Sequence, residues 1–197
     1  MVVTGNDLEE KKALQNYLSR EFEMKDLGPL KYFIGIEVSR SSEGFFLSQR
    51  KYALDLLQET GMSGCQPVNT PIEEGLKLCV EPNQVSTATH YRSLVGALQY
   101  ITLTRPEISF VVNRACQYMA HPTTSHLQAA KRILRYLKGT ATHGLSIHAS
   151  PSWSLQGYTD ADWASCPDDK RSTSGFCLFF WHQSHFMVLH QATCRLS

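Results

Sequence analysis

The stretch from Leu155 to Phe180 constrains this chain most, because it has the pattern of a β-hairpin with acids at a strand end. A short apolar run leads into Asp160 and Asp162. A polar turn rich in Asp, Lys, Arg and Ser follows, and residues 173–180 are aromatic and β-prone again. Many metal-dependent nucleases hold a divalent ion with a carboxylate at the end of a buried strand. Two interpretations stay open: a metal site, or two turn acids that cap a hairpin.

Length and composition limit the class of protein. A chain of 197 residues with 42% hydrophobic and 19% charged residues can bury a core and is globular. No apolar run reaches the ~18 residues that span a bilayer, and no signal-peptide pattern begins the chain, so we expect no membrane partner. The six cysteines are scattered without a C-x-x-C pair. This pattern argues against a structural zinc site and favours an intracellular, reducing compartment.

The net charge of +1 conceals a basic block in the middle of the sequence. Residues 88–148 hold seven basic and one acidic side chains, a net charge of +6. Residues 1–87 hold nine basic and 13 acidic side chains, and residues 149–197 hold three and four. A basic block between two mildly acidic ones suggests a surface that meets phosphate.

The helical pattern at residues 125–138 places part of this charge on one face. Leucine, isoleucine and alanine side chains recur on one side of the predicted helix, and the opposite side carries cations at helical spacing. Such a face is either simply solvated or a contact for nucleic acid, and the near absence of acids keeps the second interpretation open. The candidate nucleic-acid-binding residues are Arg105, Arg114, Lys131, Arg132, Arg135 and Lys138.

Local patterns along the rest of the chain predict an α+β fold. Asn6 or Asp7 can cap the first helix, and a tract from Pro67 to Pro82 predicts an extended connection, either a template contact or a surface linker. Helices are predicted at residues 7–22, 52–60, 90–104, 106–119 and 125–138, and strands at 30–39, 44–48, 145–148, 155–159 and 173–180.

Several motifs resemble one family. Tyr158 to Ala164 reads YTDADWA and is followed by DDKRSTSGFC, and Lys25 to Val38 reads KDLGPLKYFIGIEV. Residues 91–110 and the run AKRILRYLKGT at 130–140 continue the match in the same order. Together they resemble copia-type retrotransposon Pol polyproteins. The resemblance implies that residues 1–66 are the C-terminal part of a reverse transcriptase palm (helix, β-hairpin, helix). Residues 67–150 would be a linker with a helical thumb or connection region, and residues 151–197 a truncated N-terminal part of a ribonuclease H-like sheet.

The resemblance also implies roles for the acids. The family synthesises DNA on an RNA template and hydrolyses the RNA of a hybrid, with Mg²⁺ as cofactor. Asp160 matches the first catalytic metal ligand of the nuclease, and Asp162 is a less certain second ligand. In the family, the two aspartates that hold the polymerase metal ions lie in the run Tyr-Val-Asp-Asp, which precedes the match to Val2. The family's nuclease glutamate has no counterpart here, because no glutamate follows Glu107.

From these departures we expect an inactive fragment that binds no Mg²⁺ stably and retains no small-molecule substrate. One alternative is a residual binding module for DNA or an RNA–DNA hybrid. Another is an enzyme completed by a second chain.

Overall fold

Helices and antiparallel strands make up the chain in a computed structural model that describes residues 2–73, 75, 78, 88–148, 154–162, 172–182, 185–188 and 194–196. This mixture confirms the α+β class. The helices are α1 (Leu8–Glu21), α2 (Arg50–Glu59), α3 (Ala88–Ile101), α4 (Ser109–Cys116) and α5 (Thr124–Gly139). The strands are β1 (Tyr32–Phe33), β2 (Ile36–Ser41), β3 (Gly44–Ser48), β4 (Leu145–His148), β5 (Ser154–Asp162), β6 (Ser172–His182), β7 (His185–Val188) and β8 (Cys194–Leu196).

Helix α1 begins where its cap predicts, but it contributes nothing to the core. The Asp7 carboxylate accepts hydrogen bonds from the backbone N–H groups of Glu9 and Glu10, at 2.8 and 3.1 Å. These bonds satisfy two of the free donors at a helix start. None of the residues of α1 is buried, and Tyr17 on its apolar side is 61% exposed. The predicted amphipathic helix is therefore present with its apolar side uncovered.

The first sheet joins parts of the chain that are far apart in sequence. Its four antiparallel strands run in the order β1-β2-β3-β4, so the strand after α5 completes a hairpin that precedes α2. Phe45 of β3 lies opposite Ile147 of β4. Gly44 opens β3 with a φ of 148°, and any side chain there would collide with the carbonyl oxygen of Ile147. The predicted strand at 145–148 is confirmed, and its partner is β3.

Helices α2 to α5 share one hydrophobic core. Leu57 of α2, Leu98 of α3, Val112 of α4 and Leu134 of α5 are all buried in it. The core thus extends across residues 66 and 67, where the sequence places a division between the palm and the connection. Within the described residues, α2 packs with the later helices. No helix in these parts of the chain is long and apolar enough to cross a membrane.

The predicted helix at 106–119 begins as a tighter turn. A 3₁₀-helix at Pro106–Ile108 precedes α4, with Pro106 at its first position, where the missing N–H costs no hydrogen bond. Helix α3 ends at Ile101, three residues earlier than predicted. At this end the Thr102 hydroxyl donates to the carbonyl oxygen of Gln99 (2.7 Å).

The hairpin at the C-terminal end of the chain is present as predicted. Strands β5 and β6 pair in antiparallel register along the whole of β5, with Asp160 opposite Gly175 and Asp162 opposite Thr173. Strand β7 pairs with the end of β6, and β8 pairs with its beginning. These strands form a second antiparallel sheet.

Candidate nucleic-acid interface

Helix α5 turns one side to the core and gathers cations on the other. Ile133, Leu134 and Leu137 are completely buried. On the opposite side Lys131 is exposed, and three further cations are half-buried, namely Arg132, Arg135 and Lys138. The structure therefore brings together four of the six predicted residues, and we call these four side chains the basic face.

A loop segment crosses the basic face, and its backbone occupies part of the cations' hydrogen-bonding capacity. We call residues 63–73 the strap. The Lys138 ammonium donates to the carbonyl oxygens of Ser63 (2.5 Å) and Cys65 (2.7 Å). Arg135 Nε donates to the carbonyl oxygen of Gln66 at 2.7 Å. Two of the four cations of the basic face, Arg135 and Lys138, are thus held by the strap.

The far end of the strap meets Arg132. Its Nη2 donates to the Thr70 hydroxyl at 3.0 Å, and its Nη1 lies 3.7 Å from a carboxylate oxygen of Glu73. The Glu73 side chain is 68% exposed, so solvent screens this ion pair strongly. The pair neutralises little of the charge on the basic face.

The strap uses hydrogen-bond donors but leaves most of the charge in place. Carbonyl and hydroxyl oxygens carry no formal charge, so the strap bonds leave the formal charges of Arg135 and Lys138 in place. Among the described residues, Glu73 is the one carboxylate within 4 Å of a cation of the basic face. Four like charges on one helical face therefore produce a positive potential that attracts anions.

Arg105 occupies a different environment. Its side chain is 4% exposed, and its Nε lies 2.6 Å from a carboxylate oxygen of Glu107. Its terminal nitrogens donate to the Thr140 carbonyl oxygen (3.0 Å) and hydroxyl (2.6 Å). These internal bonds hold the guanidinium away from solvent, so we leave Arg105 out of the interface. Arg114 lies half-buried in the last turn of α4.

The predicted metal ligands lie on β5. Asp160 is exposed, and one of its carboxylate oxygens accepts a hydrogen bond from the backbone N–H of Ala161 at 3.0 Å. Asp162 is the last residue of β5, and its side chain lies outside the described parts of the chain. Among the described residues, no three His, Cys, Asp or Glu side chains are grouped to hold a metal ion. Their role as metal ligands stays a prediction.

Comparison with known proteins decides the family. Residues 1–74 match the model of a family described as reverse transcriptase (RNA-dependent DNA polymerase). The chain is 45% identical to an uncharacterized mitochondrial protein of Arabidopsis thaliana, over 91% of the chain and 75% of that protein. It is also 45% identical to the retrovirus-related Pol polyprotein from transposon RE1 of the same plant, over 92% of the chain.

The chain belongs to the copia-type retrotransposon Pol family. The Pol polyprotein from transposon TNT 1-94 of Nicotiana tabacum is 36% identical over 91% of the chain. This Pol chain spans 12% of the RE1 polyprotein and 14% of the TNT 1-94 polyprotein. No solved structure matches it. The resemblance read from the motifs is therefore confirmed.

Sequence reasoning missed the acceptors in the strap. Ser63, Cys65 and Gln66 contribute backbone oxygens, which every residue carries, so side-chain patterns give no signal for them. The prolines of this segment indicate only an irregular connection. The one available signal is that the strap offers an acid, Glu73, to a strongly basic helix.

Proposed function

We propose that this part of copia-type Pol binds the phosphate backbone of nucleic acid through the basic face of α5. Its partner would be an RNA–DNA hybrid or duplex DNA, and Arg114 would add charge nearby in sequence. The single observation that carries the proposal is the set of four cations on one helical face, with one screened carboxylate beside them among the described residues. Phosphates bind where cations are not already neutralised by acids.

The same proposal assigns the surrounding elements to parts of the polyprotein. Helix α1, the hairpin β2–β3 and α2 would be the end of the reverse transcriptase palm, supported by the match of residues 1–74. Helices α3 to α5 would form the thumb or connection region. The hairpin β5–β6 would begin a ribonuclease H-like sheet with Asp160 at its metal site.

We further propose that these 197 residues by themselves catalyse neither reaction. Asp160 is exposed, and its described hydrogen bond runs to the backbone of its neighbour Ala161. Mg²⁺ keeps several waters and is held by carboxylates together with substrate phosphate, so one exposed carboxylate binds it weakly. In this proposal the chain contributes binding, and catalysis belongs to complete polyproteins of the family.

Salt-dependent binding tests the proposed function. Lys131→Ala/Arg135→Ala removes two charges from the basic face, and Lys11→Ala/Lys12→Ala removes two exposed charges from α1 as the matched control. Affinity for an RNA–DNA hybrid and for DNA would be measured by fluorescence anisotropy at 50 to 200 mM salt. We expect the first variant to bind both duplexes more weakly. The slope of log affinity against log salt should fall by up to about two units, roughly one per lost phosphate contact.

Both duplexes should lose affinity to a similar extent, because phosphate contacts carry little sequence information. The α1 control should keep the slope of the unmodified chain. If both double variants lower the slope equally, binding is unspecific attraction to a charged chain and the basic face has no special role.

A further inference from the structure

We propose that the strap and the phosphate backbone compete for the same donors of α5, so that nucleic-acid binding releases residues 63–73 from the helix. This inference rests on the proposed function of the basic face. It adds a second state to the molecule. In the strapped state the cations bind backbone carbonyls, and in the released state they bind phosphate oxygens.

The number of donors limits what Lys138 can offer a phosphate while the strap is bound. An ammonium group has three N–H donors, and two of them point to the carbonyl oxygens of Ser63 and Cys65. At Arg135 the Nε donor is bound to the carbonyl oxygen of Gln66. A two-bond contact to phosphate through Nε and one terminal nitrogen is therefore blocked while the strap is in place. Full use of either cation by a phosphate requires the strap to move.

Phosphate is the stronger acceptor for these donors. A bond from a cationic donor is charge-assisted whether its acceptor is a carbonyl or a phosphate oxygen, but a phosphate adds the attraction between opposite formal charges. The strap oxygens at Ser63, Cys65 and Gln66 are neutral carbonyls, and a phosphate oxygen carries charge. The exchange at Arg135 and Lys138 is therefore favourable once a duplex backbone reaches α5.

The strap is held mainly at its ends and by the cations. Cys65 and Ile72 pack against the helical core, and the Cys65 N–H donates to the carbonyl oxygen of Met62 at 3.0 Å. Between these points, the hydrogen bonds described for the strap run to α5. Release withdraws these two half-buried side chains, Cys65 and Ile72, from the edge of the core and leaves the fully buried residues in place.

Gly139 provides a way to displace the strap without changing any charge. A Cβ atom at Gly139 would lie 3.1 Å from Cβ of Pro67 and 3.7 Å from the carbonyl oxygen of Val68. A larger side chain would press directly on the strap. Gly96 of α3 is the matched control, because it is exposed and no atom lies within 4 Å of a Cβ built there. We therefore compare Gly139→Leu with Gly96→Leu in the full chain.

Release of the strap is measured first without nucleic acid, by the rate at which a maleimide alkylates Cys65. Cys65 is half-buried and free, and mass spectrometry separates its label from those on the other cysteines. We expect Gly139→Leu to label several-fold faster at Cys65 and Gly96→Leu to label at the rate of the unmodified chain. A saturating RNA–DNA hybrid should accelerate labelling of the unmodified chain as Gly139→Leu does. Pro67→Gly, which removes the Cβ atom facing Gly139 and frees the backbone of the strap, gives a loosened strap as a second variant if the leucine variant lowers the melting temperature.

Hybrid binding is measured next on the same proteins. Gly139→Leu and Pro67→Gly keep every cation, so competition predicts tighter binding and a steeper salt slope than in the unmodified chain, with Gly96→Leu unchanged. If the chain binds no duplex at low salt, the proposed function and the competition are both overturned. If it binds, but bound hybrid leaves Cys65 labelling unchanged and both strap variants bind with unchanged affinity, the competition alone is overturned.

Discussion

Arg105 and Thr140 join two helices across 35 residues of sequence, through two hydrogen bonds from one guanidinium. Arg105 follows α3, and Thr140 caps the C-terminal end of α5, where its carbonyl oxygen and hydroxyl both accept. The Arg105 side chain also lies 5.7 Å above the ring centre of Tyr136. This contact fixes the end of α5, and with it the position of the basic face relative to α3 and the 3₁₀ turn.

Replacing Arg105 should therefore lower the stability of the fold rather than remove a direct contact to nucleic acid. Arg105→Ala removes the two bonds to Thr140 and leaves the Glu107 carboxylate without its partner. We expect a loss of about 2–3 kcal/mol in the free energy of unfolding, as for other buried networks of charged hydrogen bonds. Urea denaturation measures it. Arg114→Ala is the control, with an expected loss within about 0.5 kcal/mol; an equal loss in both variants would contradict a special role for Arg105.

Tyr91 gives the fold a dependence on alkaline pH. Its ring is completely buried and its hydroxyl donates to the Ala115 carbonyl oxygen at 2.8 Å. Burial raises the pKa of Tyr91 well above the ordinary value of 10.0. The folded chain therefore keeps the proton at a pH where the unfolded chain loses it. The stability from Tyr91 is fully present below about pH 10 and is lost as the pH rises from there toward the folded pKa.

Thermal melts between pH 8 and 11 measure this effect. We expect the melting temperature to fall above about pH 10, and to fall less steeply in Tyr91→Phe. At neutral pH the free energy of unfolding of Tyr91→Phe should be about 1–2 kcal/mol lower, since the Ala115 carbonyl oxygen stays buried without its donor. Identical alkaline slopes in the two proteins would show that another group controls the transition.

Gln49 should be needed for the junction between α2 and α3. Gln49 is 3% exposed, and its amide orientation is assigned from the hydrogen-bond network: the nitrogen donates to the Thr104 hydroxyl (2.9 Å) and to the carbonyl oxygens of Ile101 (3.2 Å) and Tyr100 (3.3 Å). Gln49→Leu should lower the free energy of unfolding by about 1–3 kcal/mol, because these buried acceptors lose their donor. Urea denaturation measures the loss. Gln58→Leu, on the exposed side of α2, should change stability by less than about 0.5 kcal/mol.

Asp160 should matter little to this chain alone. Because the carboxylate of Asp160 is exposed, Asp160→Asn should change the free energy of unfolding by less than about 0.5 kcal/mol. Calorimetric titration with Mg²⁺ should give no site tighter than the millimolar range, since one carboxylate holds this ion weakly. Cleavage of an RNA–DNA hybrid by the purified chain that disappears in Asp160→Asn would contradict the proposed inactivity.

The helices could be predicted from the sequence because their signals are local. The buried side of α5 follows from the spacing of Ile133, Leu134 and Leu137, and a cap at Asn6 or Asp7 follows from their position before residues with helical periodicity. The strap could not be predicted. Its contact between Lys138 and the Ser63 carbonyl joins atoms 75 residues apart and uses a backbone oxygen. A local pattern shows that a cation lies on the outer side of a helix, but it cannot show which distant segment covers that side.

The burial of Arg105 was hidden for a related reason. In sequence it is one more cation in a basic block, and its partner Glu107 is the one acid of that block. The second partner, Thr140, is distant in sequence and polar without charge. The net charge of the segment therefore indicates the basic side of α5, but it also counts Arg105, which the fold uses internally.

The pairing of β4 with β3 has a consequence for how the chain is made. Synthesis runs from the N-terminus, so β2 and β3 can pair early, while β4 leaves the ribosome about a hundred residues after them. During that interval β3 presents an unpaired edge that carries Phe45 and Phe46. Until residues 145–148 arrive and close it, this edge is open to pairing with a strand of another chain.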